Sequence, residues 1–269
     1  MRRSAAGLFL LISGALFAVA ISTFWMDRVA FTPSADTDST YAVYGDEDIR
    51  RQVATLVAQA DASELSMSPN DLSTFIEQIT RIRDGATEMR QFTADAHALL
   101  IGDREDPVLI TAEEQVQLTR TERVALQPVI RIPVRRVATL DVIASITSWT
   151  WLVSFGLAAL TLLIGLVLRP ERGEFSLAFA VGSAATGALL IVFGYLVPAF
   201  VLPSVSQDDW VGVIPRLAAY RRASTLIAAG VFVAIGAVTF LTTGGARQRR
   251  QRSTPLSVGR FREQQRWSN

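Results

Sequence analysis

Four long apolar runs dominate the alternation of hydrophobic and polar positions: residues 7–25, 148–168, 175–203 and 223–243. None contains a charged residue, and each is long enough, at 1.5 Å of helical rise per residue, to cross a hydrocarbon core of about 30 Å. Uncharged runs of this length are rare in soluble proteins. The predicted fold class is therefore membrane α-helical, with four transmembrane helices and an extracytoplasmic, mainly helical domain (α with a small β element) between helices 1 and 2. "LVLRPERGEF" (166–175) interrupts the second and third runs with six mostly polar residues, Arg169 to Glu174. It reads as a tight turn in which Pro170 stops one helix and Gly173 relaxes the chain, making the two spans antiparallel neighbours.

Residues 26–147 carry shorter periodic signals. "TPSADTDST" (32–40) reads as a polar linker. "DEDIRRQVATLVAQA" (46–60) places Ile49, Val53, Leu56 and Val57 at helical spacing, with acids at the start where they complement the helix dipole. At "SPNDL", Ser68 suits a cap, Pro69 the first helical position and Asp71 the third. Leu72, Phe75, Ile79, Ile82, Ala86, Met89, Thr93, Ala96 and Leu100 then follow at steps of three and four, which predicts one helix ending near Gly102 with an unbroken heptad stripe. Such a stripe packs within its own domain or, as the sharper alternative, pairs between copies. "VLIT", "VQL" and "VIRIPVRR" (129–136) read as extended segments of a hairpin or three-stranded patch. From Val137 the pattern turns helical again through Leu140 and Ile143, toward the second span.

Composition sharpens the orientation. All 26 basic residues are arginine, and there is no cysteine, which removes disulfides, thiol nucleophiles and Cys-type zinc sites. The formal charge of +1 hides a segregation: residues 26–145 hold 20 Asp/Glu against 12 Arg, a net of −8, and the rest of the chain is net +9. Arg2 and Arg3 precede the first run and "ARQRRQRS" (246–253) follows the last. Both ends satisfy the positive-inside rule together when the span count is even. The expected layout is a cytoplasmic N-terminus (1–6), an exported domain (26–147), a cytoplasmic turn (169–174), an external loop (204–222) and a basic cytoplasmic tail (244–269), in the plasma membrane. Arg216, Arg221 and Arg222 fall outside and count against it. The rival reading of the first run is a signal peptide cleaved after Ala20, from the Ala18-Val19-Ala20 pattern, but apolar residues continue to Trp25 and favour an uncleaved anchor.

Candidate chemistry is sparse. His97, the single histidine, has Asp95 two residues away on another helix face and reads as a solvated helix histidine. Asp36, Asp38, Thr40 and Glu47 have the 1, 3, 5, 12 spacing of a calcium loop, yet Tyr41 stands where that turn needs glycine. Asp103, Glu105 and Asp106 form an acidic loop that reads as solvated. No Walker A, G-x-G-x-x-G, H-E-x-x-H or G-x-S-x-G pattern occurs. No catalytic, cofactor or metal residue is therefore assigned. The spans lack the ionisable residues of ion-coupled transport. They carry small residues instead, including Ser183/Gly187 and Gly230/Ala234, which suit close helix packing. Pro198 and Pro203 are expected to kink or end the third span, with Trp149, Trp151 and Tyr195 as interfacial anchors and a short interfacial helix near Trp210. The Arg-rich tail suits anionic lipid rather than nucleic acid.

The layout resembles a group of uncharacterised actinobacterial four-span integral membrane proteins: an N-terminal anchor helix, an exported α-rich domain, three clustered C-terminal spans and an Arg-rich tail. "FTADAHALLIGD" (92–103) and "RIPVRRVATLDVIAS" (131–145) carry the resemblance. It implies a location and no reaction. The expected function is a non-catalytic multi-pass membrane protein whose exported domain binds or organises a cell-envelope partner, an unidentified membrane or envelope protein. The alternative is a component of small-molecule or lipid transport using spans 2–4.

Overall fold

The computed structural model describes residues 2–168, 170 and 172–252, with backbone alone for 2–4, 172 and 244–252. Arg169 and Glu171 of the expected turn, and tail residues 253–269 with Arg260, Arg262 and Arg266, lie outside the described residues.

Among the described residues, four helices are long and apolar enough to cross a membrane. The first apolar run lies within α1 (Arg2–Ala30), and the second, all but its last residue Leu168, within α8 (Ala138–Val167), which starts directly after the polar domain. The third begins as α9 (Arg172–Ile191) and continues as a π-helical stretch, Val192–Val201, with Pro198 buried inside it, then a 3-10 turn, Leu202–Val205, containing Pro203. Pro198 thus neither stops nor sharply ends the helix; the wider i→i+5 winding accommodates the missing N–H. The fourth run sits in the 40-residue α10 (Val213–Arg252), which extends past the run at both ends.

The order of packing differs from the order in the chain. α1 packs against both α8 and α9, and α9 packs against α10, whereas α8 and α9 barely touch among the described residues. The expectation that spans two and three are direct neighbours, within three clustered C-terminal spans, is corrected: α1 lies between α8 and the other two. Small residues explain why α1 takes that place. At the crossing of α1 and α9, a Cβ on Gly182 would come within 3.0 Å of the Gly14 Cα, so a side chain there would push the two backbones apart by a few tenths of an ångström. On the other side Ser13 Oγ donates to the Ala158 carbonyl of α8 at 2.9 Å. Gly187 similarly admits α10, its Cβ position lying 2.7 Å from the Ala229 carbonyl oxygen. Gly230, by contrast, meets nothing within 4 Å and Ala234 is exposed, so this expected packing pair is unused among the described residues.

The polar domain is built from α2 (Thr37–Val43), α3 (Glu47–Leu65), α4 (Pro69–Thr80), α5 (Arg83–Glu88), α6 (Arg90–Ile101), β1 (Leu109–Ile110), α7 (Ala112–Thr119) and β2 (Ile130–Arg131). Part of the expected linker at 32–40 is helical, because Asp36 caps α2 by accepting from Ser39 N. The single long helix expected from the heptad stripe is three helices. Ile82 has extended backbone angles, is 48% exposed and leaves the stripe, while a Cβ on Gly85 would meet the Ile79 carbonyl oxygen at 2.2 Å, so glycine alone permits the fold-back. "VQL" is not extended: a capping box between Thr111 and Glu114 starts α7 through it. The β element is one antiparallel pair, Leu109 opposite Arg131 and Ile110 opposite Ile130.

One hydrophobic core joins this domain to the membrane helices. Met26, Ala30 and Phe31 from the end of α1, Leu140 from the start of α8, and Leu202, Trp210, Ile214 and Leu217 pack in the same cluster as Ile49, Val53, Phe92 and Leu100. The domain is thus seated on one end of the four-helix bundle by burial.

Candidate functional site at the membrane junction

Two backbone straps run between the polar domain and the bundle. The first, 132–137, is pinned by Ile132 N donating to the Val108 carbonyl and Val137 N to the Leu100 carbonyl, both at 3.0 Å. The second, 205–212, is anchored by Trp210, which is fully buried, meets Phe92 edge-to-face at 5.7 Å and donates from Nε1 to Gln52 Oε1 at 2.7 Å. Asp208 holds the strap's 3-10 turn, Asp209–Gly212, by accepting from Trp210 N. Arg216, at the start of α10, donates from Nε to Asp46 Oδ2 at 3.2 Å. The short element expected near Trp210 exists, but the indole is a core residue of the polar domain, not an interfacial one.

Between the straps and the outer face of α3 lies a polar cleft. Its larger part, about 570 Å³, is lined by Gln52, Pro133, Arg135, Arg136, Val137 and the 205–209 segment. An adjoining part, about 390 Å³, shares Gln52, Pro133 and Asp209 and runs along Asp48, Arg51, Thr55 and Gln59. Most of the charges are satisfied: Arg51 pairs with Glu47 and Asp48, and Arg136 with Asp141. Arg135 and Asp209 are exposed and have no partner among the described residues. Among the described residues the cleft therefore offers one cation, Arg135, and two carboxylates, Asp208 and Asp209, without an ion-pair partner in a shared cavity.

A second cavity, about 340 Å³, lies within the bundle between α1 and α9, with Leu162 of α8 and Phe232 of α10 at its sides. Its lining is apolar apart from Ser13, Ser183 and Thr186. Ser13 and Thr186 spend their hydroxyls on backbone carbonyls.

The residues singled out in the sequence do not converge. Asp36 caps α2, Asp38 pairs with Arg83, Thr40 donates to the Asp36 carbonyl at 2.9 Å, and Glu47 pairs with Arg51. Asp95 pairs with Arg104 at 2.7 Å. Asp103 is raised above the ordinary carboxylate range by partial burial and by Asp141. No group of three or more His, Asp or Glu side chains suited to a metal occurs among the described residues. His97 is corrected from solvated to buried: its Nε2 donates to the Ala30 carbonyl at 3.0 Å, tying α6 to the end of α1. Burial lowers its pKa to about 4. Trp151 and Tyr195 pack edge-on against Phe24 and Phe200, and Trp149 is 67% exposed on α8.

Two buried charged groups of α3 are not singled out by its sequence, because the helix reads as an ordinary amphipathic stretch. Asp61 is fully buried in α3 with neither carboxylate oxygen hydrogen-bonded, and burial raises its pKa to about 6. Arg50 is buried and donates from Nη1 to the Tyr44 carbonyl at 2.7 Å. The Asp at position 61 inside "VAQADASEL", on the Val57 side of the helix, was the readable signal.

Comparison of the chain with protein-family models, curated proteins and solved structures finds no match.

Proposed function

We propose that this is a non-catalytic multi-pass protein of the plasma membrane, with both termini cytoplasmic and the polar domain exported, where it binds or organises a cell-envelope partner. The observation that supports this reading is the shared core: the domain is held on the bundle through Met26, Phe31, Leu140, Trp210 and Leu217, at four chain crossings. A domain so seated presents its surface at a fixed height and angle above the bilayer, as a docking platform requires. The central parts of the spans carry no ionisable side chain, which disfavours ion-coupled transport. Photo-crosslinking from Gln78, exposed on α4 and outside the cleft, in native membranes followed by mass spectrometry tests the reading. A stoichiometric protein partner supports it; recovery of lipid alone sinks it. Orientation is tested separately with a cysteine at Gly173: labelling from outside intact cells refutes cytoplasmic termini.

A second reading, lipid handling within the membrane, is favoured by the apolar cavity between α1 and α9. It differs from the expectation of a path confined to spans 2–4, because α1 forms much of the wall.

A further inference from the structure

We infer that the cleft between the two straps is a binding site for a zwitterionic headgroup carrying a phosphate and a primary ammonium, the chemistry of phosphatidylethanolamine. The inference rests on the position and charges of the cleft and holds whichever side of the bilayer the domain occupies. α8 has 30 residues, about 45 Å of helix, which matches a bilayer of roughly 40–45 Å with its headgroup layers included. Val137, immediately before α8, and Val205, at the end of the third candidate span, both line the cleft. The cavity therefore opens at headgroup depth, where lipid phosphates and amines are the most concentrated solutes.

The charges select among headgroups. Among the described residues Arg135 is the cleft's cation without a partner, and a guanidinium meets a phosphate with two parallel N–H donors. Asp209 has no partner among the described residues, and a carboxylate accepts from a primary ammonium. Gln52 lines both parts of the cleft and has its Oε1 engaged by Trp210, which leaves its amide N–H groups directed to other acceptors. The neighbouring Arg51 and Arg136 are ion-paired within the fold, whereas Asp208 accepts only the neutral Trp210 N–H and adds a second negative charge to the cleft that favours an ammonium. A purely anionic headgroup leaves Asp209 repelled. A quaternary choline offers it no N–H. A phosphoethanolamine satisfies both ends.

The test uses the full-length protein reconstituted in vesicles with equal parts of dioleoyl phosphatidylethanolamine, phosphatidylcholine and phosphatidylglycerol. After extraction in mild detergent the retained lipid is quantified by mass spectrometry. Phosphatidylethanolamine is expected to be retained selectively, with Arg135→Ala and Asp209→Asn each reducing retention about tenfold, the effect of one charged hydrogen bond. Both residues are exposed, so unchanged helical circular dichroism is expected in both variants. Titration with glycerophosphoethanolamine separates the source of the ligand. Competition with retained lipid assigns the site to the bilayer, and saturable binding without lipid retention assigns it to a free phosphoethanolamine compound. Equal retention of all three lipids without glycerophosphoethanolamine binding, or binding that survives both substitutions, overturns the inference.

Discussion

Asp61 and His97 give the polar domain two opposed proton linkages, and separating them is a quantitative test of its core. Asp61 is fully buried without a hydrogen-bond partner among the described residues, and burial raises its pKa from 3.8 to about 6. Between those values the folded state keeps a proton that the unfolded chain releases, so its contribution is complete below pH 3.8 and is lost as pH rises through 6. His97 runs the other way. Its pKa falls from 6.5 to about 4, so the unfolded chain takes up a proton that the folded state excludes. Stability from His97 is complete above 6.5 and is lost as pH falls through 4. Each slope is about 1.4 kcal/mol per pH unit and each total is about 3 kcal/mol. The two cancel over the shared window, and their combined contribution in the wild-type protein is nearly flat there. Asp61→Asn removes the falling branch: the variant is expected to match the wild type near pH 4 and exceed it by up to about 3 kcal/mol at pH 8. His97→Gln, which retains an N–H donor for the Ala30 carbonyl, exposes the opposite slope. Thermal unfolding in nanodiscs, followed by tryptophan fluorescence at half-unit pH steps, reads both as shifts of roughly 2–4 °C per kcal/mol. Parallel profiles for wild type and Asp61→Asn from pH 4 to 8 refute the buried, unpartnered carboxylate.

Trp210→Phe keeps most of the ring volume in the core but deletes the 2.7 Å bond to Gln52; a loss of about 1 kcal/mol is expected in the same assay, and an unchanged melting temperature contradicts the assigned anchor. Gly194→Val places a Cβ within 2.7 Å of the Trp25 ring and 2.9 Å of Thr225, where Trp25 Nε1 donates to Thr225 Oγ1. Overpacking there is expected to cost about 1–3 kcal/mol, seen as a lower melting temperature and a blue-shift change in Trp25 emission. The anchor reading of α1 predicts that the intact mass of the purified protein includes residues 1–20; a mature chain starting at Ile21 refutes it.

The membrane half was largely legible in the sequence because hydrocarbon imposes one rule, an uncharged helix of sufficient length, that a local window can read. Ser68, Pro69 and Asp71 marked the start of α4 for the same reason: caps are local chemistry. What failed was decided by distant partners. The stripe through Ile79, Ile82 and Ala86 has the period of one helix, yet the close approach of Gly85 to the Ile79 carbonyl and the exposure of Ile82 belong to a fold-back that periodicity does not encode. Trp210 looked interfacial beside polar Asp208 and Asp209, but Gln52, 158 residues away, supplies its hydrogen bond inside the domain. The cleft is invisible to any window for that reason: Gln52, Arg135 and Asp209 come from three separate segments.

The three arginines that oppose the proposed orientation illustrate how tertiary roles outweigh a statistical bias. Arg216, Arg221 and Arg222 lie at the end of α10 that carries the polar domain. Arg216 pairs with Asp46, whose other oxygen caps α3, so removing it leaves a partly buried carboxylate short of one partner. Arg221 lies over the Tyr220 ring at 5.2 Å, and Arg222 over Tyr195 of the π-helical stretch at 5.5 Å. Each such contact contributes about 0.5–1 kcal/mol at an exposed site. The positive-inside rule weighs short-loop charge as a bias in insertion and exacts no absolute requirement. Arg216, which joins α10 to the polar domain, and Arg222, which joins it to the π-helical stretch, thus have tertiary roles that a count of loop charges does not register.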